Sequence, residues 1–308
     1  MKQATLVNIY GTDRSGSTML DLMLGNAPDA FSCGEVSAWF RPYRKNHAQI
    51  DCLCGQDLCP WARLKDVRES DFHATTAQEL SVRFVIDSSK DICWLVDSHR
   101  WAHMNGLSTV NLLIWKDPID LAYSYWKRGR SNNAWRHTFV KCHGRFLQLG
   151  LPFTAIQYDD LARSPSQVIE RLCAVTGMDY FEGKARFWEK QHHHLFGSGG
   201  VRIQVGSGES LIENKKSYPD AFEKQRHEIR ERVKQDMQMQ DILRQLKKAD
   251  LMCGTPAPNA GTTVLPPTIL PSWYYRKKMV RWIRRYIPEA YDNAVAREVE
   301  TVPSKRSP

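Results

Sequence analysis

The sequence contains no apolar run of roughly 18 residues, the length that a membrane-spanning helix requires. It also shows no signal peptide, because strand-like residues follow Met1 and Lys2 at once, without a charged region, an apolar core and a cleavage site. We therefore expect a cytoplasmic protein. In that compartment the eight cysteines should mostly be thiols.

The sequence has fewer acidic than basic residues. It contains 34 Asp and Glu and 43 Lys and Arg, which give a formal net charge of +9. This excess favours anionic partners such as nucleotides, acidic glycans or anionic lipid. Nucleic acid is not expected, because no recognition motif accompanies the charge. The 308 residues suffice for one large or two small domains.

Short apolar strands alternate with helices along most of the chain. The predicted strands cover 4–10, 83–87, 109–115 and 153–158, and the predicted helices cover 18–25, 91–104, 118–130, 135–149, 164–177 and 219–251. Ser164 and Gln167 form a capping box at the start of one helix, and Gly177 ends it. The alternation predicts an α/β fold of three layers, with a central parallel sheet flanked by helices.

The stretch GTDRSGST, Gly11 to Thr18, joins the first strand to the first helix and nearly matches the P-loop pattern G-x-x-x-x-G-K-[ST]. Both glycines and Thr18 are in place, but Ser17 occupies the position of the lysine. A P-loop nucleotide kinase uses that lysine at the β- and γ-phosphates. Its loss, with no evident Mg²⁺-binding partner, argues against a kinase and predicts a P-loop-like fold that binds phosphate differently.

A second phosphate site is predicted in LLIWKDPIDLAYSYWKRGR. Lys116 lies at the end of a strand, where ligands bind in parallel sheets, and Ser124 and Arg128 share one helix face. The alternative is a solvated basic helix face, which is the usual interpretation of residues such as Lys127, Arg128 and Arg130.

A chain with two predicted phosphate sites and no P-loop lysine resembles the sulfotransferase family. Members of that family take a sulfuryl group from 3'-phosphoadenosine 5'-phosphosulfate (PAPS). R-S-G-S-T-x-L at 14–20 resembles the 5'-phosphosulfate loop, and K-D-P-x5-S-x3-R at 116–128 resembles the 3'-phosphate motif. The resemblance spans residues 4–205 and includes DSSKD (87–91), YDDLARSPSQVIERLCAVTGM (158–178) and HLFGSGGVR (194–202). Two positions depart from the family: Lys116 stands where Arg is usual, and Gly199 replaces an Asn.

The resemblance implies a role for each matching residue. Backbone N–H groups of Ser15, Gly16, Ser17 and Thr18 would surround the 5'-phosphate at a helix N-terminus. Arg14 is implied at the bridging oxygen, Lys90 at the sulfuryl or bridging oxygen, Tyr158 at the adenine, and Lys116, Ser124, Arg128 and Arg202 at the 3'-phosphate. Lys90 has the alternative of a solvated helix-end lysine, and Tyr158 that of core packing. No metal is expected in the reaction.

A general base must take the proton of the acceptor hydroxyl. Glu35, in SCGEVSAWFR, resembles the base of sulfotransferases with a Gly-Glu motif at this place, such as the tyrosylprotein type. The alternative is a surface or N-cap glutamate. His99 and His103 are rival bases, although their spacing of four equally suits a packed helix face.

An insert at about residues 40–80 carries Cys52, Cys54 and Cys59. With Cys33 they offer four thiols, enough for zinc, but the paired C-x2-C spacing of common zinc sites is missing. We interpret the insert as structural, near the acceptor site, with a disulfide or zinc as alternatives. His192 and His193 are expected to be exposed loop residues without a metal role.

The predicted organisation is a sulfotransferase domain over 1–253, a Pro/Gly/Thr-rich linker or strap over 254–271, and a basic amphipathic segment and tail over 272–308. The segment 272–287 is expected to dock on its own domain, on an anionic membrane surface or on an acidic glycan. The predicted function is sulfuryl transfer from PAPS to a hydroxyl of a carbohydrate or other small molecule. The alternatives are a nucleotide kinase and a non-catalytic protein that binds PAP (the product) or a glycan.

Overall fold

The computed structural model describes residues 3–44, 47, 52, 54, 59–131, 133–209, 218–253 and 265–286. The chain divides into two compact units, Met1–Pro266 and Pro267–Pro308. Much of the predicted strap, 254–264, lies outside the described residues, so the predicted domain boundaries remain predictions. None of the helices in the described ranges has the length and hydropathy that crossing a bilayer needs.

The first unit is built on a parallel sheet whose strands are β1 (Thr5–Gly11), β2 (Ala30–Gly34), β3 (Phe84–Asp87), β4 (Ser108–Trp115) and β5 (Thr154–Gln157). Their order across the sheet is β2-β3-β1-β4-β5, and every neighbouring pair is parallel. All eight residues of β4 are buried, as expected for a strand covered on both faces. The predicted α/β fold with a central parallel sheet is confirmed.

Helices connect the strands and cover both faces of the sheet. They are α1 (Ser17–Gly25), α2 (Ser37–Phe40), α3 (Trp61–Leu64), α4 (Phe72–Glu79), α5 (Ile92–Met104), α6 (Pro118–Trp126), α7 (Ala134–Leu147), α8 (Tyr158–Arg163), α9 (Pro165–Thr176), α10 (Gly199–Arg202), α11 (Asp220–Gln235) and α12 (Met237–Lys248). The second unit contains α13 (Ser272–Tyr286), on which Tyr275 and Met279 are exposed.

Alternate residues of β1 point to opposite faces of the sheet, which produces the three layers. Ile9 belongs to the buried cluster that includes Leu20 of α1 and Ile169 of α9. Its neighbour Tyr10 faces the other side, where its ring stacks on Phe146 of α7 with centroids 5.3 Å apart.

Several local predictions were wrong. The strand β2 was missed because AFSCG is short and contains few β-formers; it forms by pairing with β3. The helix predicted over 219–251 is two helices, since Asp236 lies between them and its carboxylate accepts from the Met239 N–H. The helix predicted over 118–130 ends at Trp126. Ser164 makes no side-chain cap, so the capping box does not form.

The strand order places a switch point between β1 and β4. The connection after β1 leads to β2 on one side of the sheet, whereas the connection after β4 leads to β5 on the other side. In sheets of this kind the two connections diverge and leave a crevice at the carboxyl ends of the strands, where ligands bind. The candidate site lies there.

Candidate active site

Predicted site residues follow the carboxyl ends of all five strands. The glycine loop follows β1, Glu35 follows β2, Lys90 lies three residues after β3, Lys116 follows β4 and Tyr158 follows β5. These residues line one cavity of about 350 Å³. The predicted residues that line it are Arg14, Gly16, Ser17, Thr18, Glu35, Lys90, Lys116, Arg128, Tyr158 and Arg202.

The glycine loop takes a conformation that ordinary residues resist. Gly16 has a φ of 96°, and a Cβ there would lie 2.4 Å from Cδ2 of Tyr158. Arg14 also has a positive φ, 72°. Non-glycine residues in this region are strained, and such strain concentrates at functional sites. Helix α1 begins at Ser17, so the unpaired N–H groups of its first turn lie at the cavity.

Arg14 lies at the rim of the cavity, where its Nη1 donates to Ser198 Oγ at 3.5 Å. Partial burial, and then the nearby Arg128 guanidinium, lower the pKa of Arg14. The backbone N–H of Ser198 donates to Thr18 Oγ1 at 3.0 Å. The segment around Ser198 therefore closes over the glycine loop.

Lys90 connects the glycine loop to Glu35. Its Nζ donates to Ser17 Oγ at 3.0 Å and to Glu35 Oε1. Burial by itself lowers the pKa of Lys90, but the Glu35 carboxylate outweighs burial, so the pKa is raised and the side chain stays an ammonium. Lys90 has a φ of 55° and is, after Arg14, a second strained residue at this edge of the sheet.

The backbone of Glu35 is held from behind by the segment that precedes Ser198. The Glu35 N–H donates to the Leu195 carbonyl at 2.9 Å, and the Leu195 N–H donates to the Cys33 carbonyl at 3.3 Å. Gly34 makes this close approach feasible, because a Cβ there would lie 2.1 Å from the Leu195 carbonyl oxygen. The backbone of Glu35 is consequently fixed at the cavity wall.

The cavity wall also carries a lysine in contact with an aromatic ring. The Lys116 Nζ lies 3.8 Å from the centre of the Tyr158 ring, a cation–π contact. Burial lowers the pKa of Lys116 to about 8. Tyr158 is the first residue of α8 rather than the end of β5, and its ring also packs against Gly16.

Two predicted residues lie behind the cavity surface rather than on it. Ser15 is fully buried and its Oγ donates to the Thr12 carbonyl at 2.8 Å. Ser124 is buried, and Arg128 Nη1 donates to its carbonyl at 2.8 Å and to its Oγ at 3.3 Å. The predicted proximity of Ser124 and Arg128 is present, although Arg128 lies in the turn after α6.

The rival bases do not lie at the cavity. His99 is fully buried on α5, where its Nε2 lies 2.8 Å from Asn111 Oδ1. His103 is exposed near the end of the same helix. The alternative interpretation of these two histidines, as a packed helix face, fits His99.

Sequence reasoning missed several residues of the cavity wall, namely Asp13, Met19, Tyr43, Arg44, His47, Arg130, Phe196, Gly197, Ser198 and Val201. Tyr43 and His47 come from the insert; their rings are 4.3 Å apart, and His47 lies 4.8 Å from Phe196. Burial, and then the Glu35 carboxylate, raise the pKa of Tyr43. No sequence signal marked Tyr43 or His47, but Phe196 to Val201 lie in the quoted HLFGSGGVR segment.

A buried acid supports the β3 end of the site. Asp21 of α1 is fully buried and accepts from Ser88 Oγ at 2.6 Å, two residues before Lys90. Burial raises the pKa of Asp21 to about 7. His194 lies beside it, with Nδ1 3.6 Å from Asp21 Oδ2 and 2.7 Å from Ser32 Oγ, and burial holds the pKa of His194 well below its usual value.

A cluster of potential metal ligands lies outside the cavity lining. Its members are Cys52, Cys54, Cys59 and His193, whose ligand atoms all lie within 4.8 Å of one another. Cys33, the fourth thiol considered from sequence, is instead a fully buried core residue of β2. The prediction that His192 and His193 are exposed is also wrong, because both are half-buried.

Comparisons with known proteins give a match by structure but not by sequence. No protein-family model and no curated protein matches the chain. The fold is similar to the sulfotransferase domain from the curacin biosynthetic pathway, with a TM-score of 0.53 and 15% identity over 80% of this chain and 98% of that chain. It is also similar to the sulfotransferase domain from the Synechococcus PCC 7002 olefin synthase, with a TM-score of 0.51 and 17% identity over 77% and 97% of the two chains. At these identities the likeness establishes a sulfotransferase-like fold.

Proposed function

We propose that this protein is an enzyme that transfers a sulfuryl group from PAPS to an acceptor hydroxyl. The observation that carries the proposal is the position of Lys90, whose ammonium bridges Ser17 of the phosphate-type loop and the Glu35 carboxylate. Sulfuryl transfer requires a cation at the leaving phosphate and a base at the acceptor, side by side. Lys90 and Glu35 satisfy both requirements within one cavity.

We assign the two anionic ends of PAPS to two groups of residues in the cavity wall. The N-terminus of α1, with Arg14 and Lys90 beside it, suits the 5'-phosphosulfate. Lys116, Arg128 and Arg202 suit the 3'-phosphate, and the Tyr158 ring offers a face for the adenine. ATP has no 3'-phosphate, so the second group of cations distinguishes the two nucleotides.

PAPS supplies the sulfuryl group, and the residues of this chain position the reactants and move one proton. A Glu35 carboxylate oxygen takes the proton of the acceptor hydroxyl as that oxygen bonds to sulfur. The bond between sulfur and the bridging oxygen breaks in line, and its electrons stay on the phosphate of PAP. Arg14 and Lys90 stabilise that charge, so the step itself calls for no metal.

The acceptor is proposed to enter beside Glu35, past the wall formed by Tyr43, His47 and Phe196. Aromatic rings with polar tips suit a molecule that has both apolar faces and hydroxyls. A carbohydrate or another small hydroxyl compound fits this description.

The nucleotide specificity tests the proposal first. PAP should raise the melting temperature well above the value with ATP and Mg²⁺, because the cations at Lys116 and Arg128 have no 3'-phosphate to bind in ATP. Equal stabilisation by ATP with Mg²⁺ would instead support the nucleotide kinase.

Turnover tests it next. Labelled PAPS is incubated with the protein and a panel of glycans, phenols and lipids, and labelled products are separated from PAPS. Transfer to any hydroxyl acceptor supports the enzyme. Tight PAP binding without transfer across the panel, and without slow hydrolysis of PAPS, supports the non-catalytic binding protein.

A further inference from the structure

Three cysteines of the insert and one distant histidine meet at one point of the fold. The Nδ1 atom of His193 lies 3.7 Å from Cys52 Sγ and 3.6 Å from Cys59 Sγ, and Cys54 completes the group. We infer that Cys52, Cys54, Cys59 and His193 bind one zinc ion, which fastens the insert to the segment behind Glu35. This inference does not depend on the proposed sulfuryl transfer.

The ligand set and the distances suit tetrahedral zinc. Three cysteines and one histidine form a common structural zinc site, with Zn–S bonds of about 2.3 Å and Zn–N bonds of about 2.0 Å. Tetrahedral angles then separate sulfur from nitrogen by about 3.5 Å and sulfur from sulfur by about 3.8 Å. The two S···N distances of 3.7 and 3.6 Å are close to this length. The ligand atoms, all within 4.8 Å of one another, need only small shifts to enclose the ion.

The surroundings hold His193 in a ligating orientation. Its ring stacks on Phe31 of β2, with centroids 6.4 Å apart and an interplanar angle of 17°. Its carbonyl accepts a hydrogen bond from the indole N–H of Trp61, a buried residue two positions after Cys59. Contacts that fix a ligand's ring and backbone are typical of metal sites, where outer groups orient the ligands.

The four side chains are half-buried, so the ion would be shielded without being inaccessible. None of them lines the 350 Å³ cavity, and four protein ligands leave no open position on tetrahedral zinc. The ion is therefore structural, and the chemistry at Glu35 and Lys90 proceeds without it. The expectation of no stoichiometric metal rested on the cysteine spacing, on the nearness of Cys33 to Glu35 and on a reaction that needs no metal, and none of these gave a sign of His193.

The site would support Glu35 through the backbone. Leu195, two residues after His193, accepts the Glu35 N–H and donates to Cys33. A zinc ion on His193 would fix the start of this segment against the insert, which also contributes Tyr43 and His47 to the cavity wall. Loss of zinc should therefore loosen both the insert and the wall around Glu35.

Metal content of the full-length protein tests the inference directly. The protein is purified under reducing conditions without chelator, exposed to zinc and desalted, and then analysed by mass spectrometry for metals. We expect about one zinc per chain, released by a thiol-blocking mercurial and accompanied by a fall in melting temperature. Replacement by Co²⁺ should give the visible absorption of tetrahedral cobalt with thiolate ligands.

Matched variants locate the ion. Cys54→Ser and His193→Ala should lower the zinc content to below about a tenth of the wild-type value, since each removes one of four ligands. Cys253→Ser and His103→Ala, both at exposed positions, should keep it. If the ligand variants fail to fold, the cobalt spectrum and the fall in melting temperature that accompanies zinc release from the wild-type protein decide alone.

Three results would overturn the inference. The first is wild-type protein that stays below about a tenth of one zinc per chain after reconstitution. The second is a disulfide among Cys52, Cys54 and Cys59 in protein isolated with alkylation of free thiols. The third is equal loss of zinc in the ligand variants and the control variants.

Discussion

Lys90 donates a hydrogen bond to Glu35 across 55 residues of sequence and pairs with it as an ion pair. The side chains are 10% and 17% exposed, so the pair is largely removed from water. In such a setting each charge depends on the other, and removing one leaves the second uncompensated. The ion pair therefore keeps the proposed base, Glu35, next to the proposed sulfuryl-binding cation, Lys90.

Glu35→Gln should lower kcat for sulfuryl transfer by about 10²- to 10⁴-fold, the usual contribution of a general base. PAP affinity should change little, because Glu35 contacts no phosphate in the proposed complex and the phosphate of bound PAP can compensate the Lys90 ammonium in its place. Turnover with labelled PAPS and calorimetric titration with PAP measure the two effects. Glu79→Gln, at an exposed position of α4, is the control. Full activity in Glu35→Gln with none in His99→Ala would show that the base is assigned wrongly.

Lys116→Ala should weaken PAP binding by about 1.5–3 kcal/mol, the value of a hydrogen bond to a charged group. Titration calorimetry measures the loss. Lys127→Ala is a close control, because Lys127 is exposed and its ammonium lies over the Tyr123 ring, 4.7 Å from its centre. Comparable losses in both variants would mean that PAP responds only to the general positive charge of this region.

The affinity for PAP should fall above about pH 8 in the wild-type protein. Burial lowers the pKa of Lys116 to about 8, so the ammonium that an anion requires is lost as pH rises through that value. The decline should reach at most about tenfold per pH unit. Lys116→Arg should remove the decline, because a guanidinium stays charged throughout this range. Identical affinity profiles for the two proteins would exclude Lys116 as the titrating group.

Asp21→Asn should change how stability depends on pH. Burial raises the folded-state pKa of Asp21 to about 7, whereas the unfolded chain titrates near the ordinary value of about 3.9. Between these values the unfolded state has released the proton and the folded state has not. The contribution of Asp21 to the free energy of unfolding therefore falls as pH rises from about 4 to about 7.

The asparagine variant cannot titrate at this position, so its free energy of unfolding relative to that of the wild-type protein should rise across that pH interval and level off above it. Denaturant unfolding of both proteins at several pH values measures the difference, in which other titrating groups cancel. Parallel curves would mean that Asp21 has an ordinary pKa despite its burial.

Much of the fold was predictable because most strands are short apolar runs. TVNLLIW and FVID are buried on both faces of the sheet, and a continuous apolar run is what such strands require. AFSCG lacks that signal, and its identity as β2 follows from its register with β3. The break at Asp236 was similarly hidden, because the residues on both sides are good helix formers.

The residues of the candidate site likewise fall into those that sequence spacing could group and those that it could not. Arg14 to Thr18 are contiguous, and Lys116, Ser124 and Arg128 lie on one strand–helix connection, so local spacing was enough to group them. Tyr43 and His47 reach the cavity through the packing of the insert, which has no periodic pattern. His193 lies 134 residues from Cys59, and no spacing rule links them.

The sequence by itself determined the parallel α/β architecture, the glycine loop at the start of a helix and the basic character of the chain. These features depend on neighbouring residues, whose periodicity and turn chemistry can be read directly. Only the tertiary structure brought Lys90 to both Ser17 and Glu35, and His193 to the three cysteines. Such contacts join segments far apart in sequence, and they exist because parallel strands align their carboxyl ends at one edge and because close-packed side chains allow few other arrangements.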